Sequence, residues 1–542
     1  MDARTLARAR FVGSPAMTHQ DALLQFTGHD LAALLRRKAA ERPGHPFLTW
    51  APEPGVSRTW TYAEFAGQVA SLAGGLGRRG VRAGDRVLMH LENCPEFLLT
   101  YFACAHLGAV CVPTNAMAAG PELAYFAELT EACGAVTHPK FAEKIRGHCP
   151  GLKWLAITDD DAGQPADAAT APRPDERHAA LLAAPAPQRP PDASAPLSVL
   201  FTSGTTSRPK GVAWTHANTL WAGRLGAMQQ GLRGDDVFQV FLPLFHVVGL
   251  SWSVFPALWA GASIVLQPRF SASRYWPVAL EHRSTVGSHV IFSANVLAGM
   301  PVPRGHAFRQ WCNALWLPEH EAHFGMRMMG AWGMTEMVAQ GIVTDPWSPP
   351  RAGAIGRPSA GYGVRIVDDR GRDCLPGERG NLLVRGIRGV TLFAEYFGNA
   401  QATRDAFDDD GYFRTGDNVL LHEDGSIQFG DRAKDLLKVG GEGVSAAEIE
   451  RVIRTVARVS EVAVVGRPDA VYGEVPIAFV RLPADGGVTG LADAIIAACR
   501  RELAKYKVPR EVVFVQDFPR IGVGKISKAG LRELAASGAA AS

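Results

Sequence analysis

The sequence has no C-x-x-C pair and no cluster of His with Cys; its eight cysteines, at 94, 104, 111, 133, 149, 312, 374 and 499, are scattered. That argues against a disulfide framework or a zinc site and for reduced thiols in a cytosolic chain, most of them small buried hydrophobes. Charge of one sign is scarce as well. A formal net charge of +3 over 542 residues, with no dense basic stripe, argues against nucleic acid as a partner. The first residues, through Met17, carry Arg4, Arg8 and Arg10 but no apolar run, so no secretory signal is evident. One stretch lacks charge altogether: 237–267 has no Asp, Glu, Lys or Arg, long enough to suggest a membrane span. Pro243, Gly249, Pro256 and Gly261 interrupt it, so a buried helix over 250–260 leading into a strand at 263–266 is the better reading.

What is present is an ordinary globular composition, 47% hydrophobic and 20% charged, on a chain long enough for several folding units. Thr61-x-x-Glu64 has the form of a capping box opening a helix over 62–78. An apolar run at 86–91, an amphipathic segment at 95–107 and a second apolar run at 109–112 read as a βαβ unit of a parallel sheet. Residues 159–196, rich in Ala, Pro and Asp, read as an irregular surface connection with a short helix near 176–184. Strand and helix patterns resume from 197 to about 350. From 353 to 430 short strands split by turns suggest a small β subdomain. Beyond 433 a compact α+β unit is expected, with a second capping box at Ser445-x-x-Glu448. The fold class is therefore α/β: a large N-terminal domain of layered α/β subdomains plus a small β subdomain over 1–432, then a small α+β domain over 433–542.

Five stretches carry chemistry. The first is Leu200-Phe201-Thr202-Ser203-Gly204-Thr205-Thr206-Ser207-Arg208-Pro209-Lys210-Gly211, with hydroxyls, glycines and a lysine after an apolar run. Such a loop can turn backbone N–H groups and hydroxyls inward around phosphate oxygens, with Lys210 as a point charge at its edge. It is not a Walker A loop: Pro209 stands where the second glycine belongs, and Gly211 where the magnesium-binding hydroxyl should be. Taken alone, it could equally be a Ser/Thr-rich surface turn.

In Gly330-Ala331-Trp332-Gly333-Met334-Thr335-Glu336 an aromatic that can stack on a purine precedes a carboxylate that can hold magnesium. A buried turn with a core Trp is the plain alternative. Asp417, closing Tyr412-Phe413-Arg414-Thr415-Gly416-Asp417, can accept the hydroxyls of a ribose or be an ordinary turn residue. Arg432 and Lys434, in Phe429-Gly430-Asp431-Arg432-Ala433-Lys434-Asp435, sit where the β subdomain gives way to the last unit. Finally, Lys525 stands on the glycine-rich loop Ile521-Gly522-Val523-Gly524-Lys525.

In spacing and order these stretches resemble the acyl-adenylate-forming superfamily of acyl-CoA synthetases, luciferases and adenylation domains, over about 30–532. The Ser207 form of the first stretch, Glu395-Tyr396-Phe397, the run 399–403 and Gly440-Gly441-Glu442 look most like crotonobetaine/carnitine–CoA ligases and close relatives. The resemblance implies a two-step ligation: a carboxylate attacks the α-phosphate of ATP, and CoA thiol then displaces AMP. It further implies ATP, Mg²⁺ and coenzyme A as the small molecules used, a cytoplasmic enzyme without a membrane span, and leaves a homo-oligomer open.

By the family pattern, Thr202, Ser203, Gly204, Thr205, Thr206 and Lys210 hold phosphate, and Thr335 and Glu336 serve the metal and the nucleotide. Trp332 stacks on adenine, Asp417 holds the ribose, and Arg432 supports ribose or phosphate. Lys525 meets the carboxylate and α-phosphate. The small domain then rotates about Lys434, and Gly440 and Gly441 line the pantetheine tunnel. His246 gates an acyl pocket to which Trp252 is also assigned.

Departures from the pattern are Leu315-Trp316-Leu317-Pro318 where a glycine-rich adenine turn is usual, Asp431 before Arg432, and Gly443 after Glu442. A carnitine-type quaternary ammonium needs an aromatic or acidic cage, for which Trp252, Trp316 and Trp332 are available; a small or medium uncharged acid fits equally. Two other readings stay open: an adenylating enzyme that loads a carrier protein, and a catalytically silent nucleotide-binding relative.

Overall fold

Thr61 opens the first long helix, Tyr62–Arg78, through a reciprocal cap: Glu64 N–H donates to Thr61 Oγ1 at 3.2 Å and Thr61 N–H to Glu64 Oε2 at 2.8 Å. Two orphan donors of the helix start are thereby satisfied. The structure, a computed structural model, describes residues 19–118, 120–167, 172–202, 209–345, 350–432, 436–439, 442–456, 459–469, 472–482, 489–503, 505–521 and 525–537.

Two large sheets form the body. A seven-stranded sheet runs in the order Glu395–Tyr396, Gly211–Thr215, Pro196–Phe201, Val110–Pro113, Arg86–His90, Gly134–Thr137, Leu155–Ile157. The expected βαβ unit lies in it: Arg86–His90 pairs parallel with Val110–Pro113 across the helix Pro95–Leu107. That helix is not amphipathic, as its sequence suggested, because it is packed on every side; Phe97 through His106 are all buried. It starts on Pro95 and stops at Gly108, whose φ of 77° suits a residue without Cβ.

The second sheet has nine strands. Its parallel centre is Arg327–Trp332, Gln310–Asn313, Val286–Ser288, Val237–Val240, Ser263–Leu266 and Pro46–Glu53. The uncharged stretch 237–267 is one of its strands, a turn, the π-helical segment Leu250–Val254, the helix Phe255–Ala260 and a second strand. The expected helix over 250–260 thus begins as a π segment, a form concentrated at functional sites. Among the described residues no helix is long and apolar enough to cross a membrane.

The connection before the strand Pro196–Phe201 is less irregular than its composition suggested. Its short turns Pro174–Glu176 and His178–Leu181 dock on the body, with Leu181 and His178 buried and Thr100 Oγ1 3.1 Å from His178 Nε2. The four strands Gly363–Val367, Arg379–Arg385, Phe413–Leu421 and Ile427–Arg432 make the small β subdomain.

The C-terminal unit has its own sheet, built on Gly473–Arg481, and two apolar clusters separate from the main core, centred on Val464 and Ile477. Its helix Ala446–Arg454 begins directly after Ser445, as expected. A separate core lets a unit of this size hold its shape while moving as a body.

Candidate active site

The parallel strands of the nine-stranded sheet end near one another, and in open α/β sheets ligands bind outside such carboxyl ends. The strand Arg327–Trp332 runs straight into the 3₁₀ turn Thr335–Met337, which presents Thr335 and Glu336. Backbone contacts from three directions hold that turn. Trp214 Nε1 donates to Thr335 O at 2.9 Å, Phe393 N–H to Glu336 O at 2.9 Å, and Tyr362 Oη to Met337 O at 2.8 Å. Val338 follows with φ of 64°, a conformation costly for a β-branched residue and kept where surrounding structure enforces it.

Glu336 is buried and accepts a hydrogen bond from Tyr396 Oη at 2.9 Å. Tyr396 sits on the edge strand Glu395–Tyr396, opposite Val212. Burial, with Glu336 adding to it, pushes its phenol far above the usual range, so it stays a hydrogen-bond donor. The Lys210 ammonium lies 4.5 Å from the centre of the Tyr396 ring, a cation–π distance. Tyr396 therefore joins the lysine to the carboxylate. Nothing in the local sequence marks Tyr396 for this role; Glu395-Tyr396-Phe397 stands out only as a point of resemblance.

Lys210 also marks the exit of the hydroxyl-rich loop. Phe201 is the Cα partner of Gly211 in an antiparallel hairpin, and Thr202 N–H donates to Lys210 O at 3.1 Å. Ser203, Gly204, Thr205 and Thr206 lie outside the described residues, as do Lys434, Gly440 and Gly441.

Trp332 and Asp417 meet. Trp332 Nε1 donates to Asp417 Oδ2 at 3.0 Å, and both residues are buried. Asp417 N–H donates in turn to Thr415 Oγ1 at 3.1 Å, and Asp417 is the Cα partner of Arg432 across the strand pair. Trp316 spends its indole N–H on Glu321 Oε2 at 3.0 Å. Trp252, in the π segment, is buried with its indole N–H unpartnered among the described residues.

His246 follows the strand Val237–Val240 and caps the next turn, its Nδ1 accepting from Val248 N–H at 3.4 Å. Desolvation, with the Lys525 ammonium adding to it, lowers His246 to about 4, so it is neutral at pH 7. Lys525 is exposed on the small hairpin of Arg520–Ile521 with Lys525–Ile526. Lys525 of the C-terminal unit thus acts electrostatically on His246 of the body.

Among the described residues no group of three or more His, Cys, Asp or Glu is arranged for a metal. Glu336 offers one buried carboxylate. Magnesium takes such hard oxygen donors one or two at a time, beside phosphate oxygens and water, so this donor set fits it.

The AMP-binding enzyme profile matches residues 35–397, and the AMP-binding enzyme C-terminal domain profile matches 448–525. The chain belongs to the AMP-binding enzyme family and is an ATP-dependent, AMP-forming acid–thiol ligase. Among its relatives, the crotonobetaine/carnitine–CoA ligase of Escherichia coli O139:H28 is 34% identical over 494 residues, covering 88% of this chain and 94% of the relative. The anthranilate CoA ligase AuaEII in complex with anthranoyl-AMP superposes with a TM-score of 0.85 at 25% identity, covering 94% and 97% of the two chains. ATP-bound MatB from Rhodopseudomonas palustris gives 0.81 at 27% identity, over 93% and 99%.

Proposed function

We propose that the protein activates a small or medium carboxylic acid, a carnitine-like acid among the candidates, and passes its acyl group to coenzyme A in the cytoplasm. A carboxylate oxygen attacks the α-phosphorus of ATP, the bond to the β-phosphate breaks, and acyl-AMP and pyrophosphate form. The CoA sulfur then attacks the acyl carbon, the bond to AMP breaks, and the thioester forms.

Lys210 and the loop 202–206 hold phosphate charge while pyrophosphate leaves. Magnesium, when bound, neutralises part of that charge, and Glu336 is the residue to hold it, with Thr335 beside it. Trp332 stacks on adenine, Asp417 takes the ribose hydroxyls and Arg432 supports ribose or phosphate. Lys525 meets the oxygens that gain negative charge in the first transition state. The domain 433–542 then turns about Lys434, so that Gly440 and Gly441 line a path for pantetheine; glycines let a thin ligand pass close to backbone. His246 and Trp252 border the acyl group.

The observation that carries the reading is the joining of Glu336 and Lys210 through Tyr396, a buried carboxylate on its hydroxyl and an ammonium on its ring face. The test is pyrophosphate release over a panel of carboxylic acids, carnitine and crotonobetaine included, with and without CoA. Acid-dependent release that turns over continuously only with CoA is expected. Release that stays at a single turnover with CoA would point to a carrier protein as acceptor.

A further inference from the structure

Three buried polar side-chain atoms near the Gly333 turn have no hydrogen-bond partner among the described residues: Trp252 Nε1, Gln340 Oε1 and Ser288 Oγ. Their residues are 5%, 1% and 3% exposed. Buried polar atoms in folded proteins are nearly always paired, so three orphans in one place point to partners that come from outside the chain.

They do share one place. Ser288 is the Cα partner of Cys312, and Cys312 of Met329, so these side chains project from one face of the parallel sheet. Gln340 lies over that face, its Nε2 donating to Cys312 Sγ at 3.2 Å. Trp252 reaches the same spot from the π segment. A Cβ placed on Gly333 would meet Ala339 O at 2.6 Å and Trp252 Cζ2 at 3.0 Å. Ala339 leads directly into Gln340, and Ser251 Oγ donates to Val338 O. The carboxyl ends of the strands Val286–Ser288, Gln310–Asn313 and Arg327–Trp332, the π segment and the turn after Glu336 therefore meet in one neighbourhood and give it polar walls.

The chemistry of those walls is specific. An indole N–H only donates, an amide oxygen only accepts, and a serine hydroxyl does either. An alkyl or aryl chain would leave all three unpaired, and a trimethylammonium group neither donates nor accepts. A hydroxyl donates once and accepts twice, and so complements the set. We infer that the acid activated here is a short-chain hydroxy acid whose hydroxyl is held by Trp252, Gln340 and Ser288. The indole packed against Gly333 keeps the chain of that acid short. This inference rests on the ligase reading above and names its substrate class.

The test uses the whole enzyme and acids in matched pairs: 3-hydroxybutyrate against butyrate, and carnitine against 4-trimethylammoniobutanoate. Pyrophosphate release gives kcat/KM for each. A site built to bond a hydroxyl rejects the analogue lacking it, so the hydroxylated member of at least one pair should lead by ~10²-fold or more. Gln340→Met keeps the volume and removes the acceptor, and should bring that ratio below ~10-fold. Ser288→Ala should lower it in the same direction, and serves alone if thermal melting shows Gln340→Met to be unfolded. Equal kcat/KM within every pair would overturn the inference, because water would then be filling the three positions. No release with any acid would instead overturn the ligase reading from which it starts.

Discussion

Tyr396 donates its hydroxyl hydrogen to Glu336 Oε1 at 2.9 Å, and so ties the edge of the seven-stranded sheet to a turn that leaves the nine-stranded one. The same ring carries the Lys210 ammonium on its face. Removing only the hydroxyl, in Tyr396→Phe, keeps the cation–π contact and strips one hydrogen bond from a buried carboxylate. A bond to a charged group contributes roughly 1.5–3 kcal/mol. We expect kcat/KM for MgATP to fall by about 10–100-fold, read as pyrophosphate release across a magnesium titration. Unchanged kinetics would mean that Glu336 needs no such orientation.

Trp332 and Asp417 give a second test of the same kind. If Asp417 receives the ribose, then the indole N–H at 3.0 Å aims its carboxylate. Trp332→Phe keeps an aromatic face for adenine but frees that carboxylate. The KM for ATP should rise by ~5-fold, with a smaller change in kcat, a hydrogen bond being worth about 1 kcal/mol. The discriminating readout is 2′-deoxy-ATP: its disadvantage against ATP should shrink in the variant. An undiminished disadvantage would remove Trp332 from the positioning of Asp417.

These pairs explain what sequence could and could not convey. Local signals were legible: the Thr61 capping box, the strand–helix–strand at 86–113 and the self-contained C-terminal unit each rest on residues close in the chain. The Thr335-Glu336 turn and Asp417 stood out by residue type and order, while most of the hydroxyl-rich loop lies outside the described residues. Their mutual contacts were not legible, since Tyr396 lies 60 residues from Glu336 and Trp332 lies 85 from Asp417. The π segment at Leu250–Val254 has the composition of an α-helix, because one shifted hydrogen-bond register leaves no mark on apolar patterning. The helix Pro95–Leu107 offered some periodicity, yet every residue from Phe97 to His106 is buried.

The docked connection yields a stability prediction. In the helix Tyr62–Arg78, a Cβ on Gly75 would overlap the carbonyl oxygen of Leu181, whereas one on Gly77 would meet nothing within 4 Å. Gly75→Ala should therefore destabilise the fold by about 2–3 kcal/mol through overpacking against rigid backbone. Gly77→Ala should leave it unchanged or stabilise it by up to about 1 kcal/mol, as alanine favours helix over glycine. Urea unfolding of both variants decides this; equal midpoints would mean the connection does not rest on that helix.

Acid sensitivity follows from buried imidazoles. Burial lowers His90, His138 and His289 to about 3, and His178 and His216 to about 4, against an ordinary 6.5. The folded state thus refuses protons that the unfolded chain accepts near 6.5. Stability from this source is fully present above pH 6.5 and is lost as pH falls toward 4 and then 3. The loss is about 1.4 kcal/mol per pH unit for each histidine once the unfolded chain is protonated. Urea midpoints should be flat from pH 8 to 7 and fall steeply from pH 6 to 5. A flat profile through pH 5 would show that these histidines are hydrated in solution.

Lys525 is where geometry and chemistry are most tightly coupled. Its charge opposes protonation of the His246 ring, so the lysine and the imidazole share one electrostatic environment. Lys525→Ala should cost on the order of 10²–10³ in acid-dependent pyrophosphate release, the usual loss for a preorganised charge partner. The second half-reaction, preformed acyl-AMP with CoA, should proceed at the wild-type rate if, as proposed, the turn of the small domain withdraws the lysine first. The His246 pKa should rise above about 4 in this variant while staying below 6.5, because burial, the larger cause, is untouched. Histidine ring resonances followed through a pH titration measure that shift. A variant that kept full adenylation would remove Lys525 from the first transition state, and an unmoved His246 would mean that the small domain does not bring its lysine there.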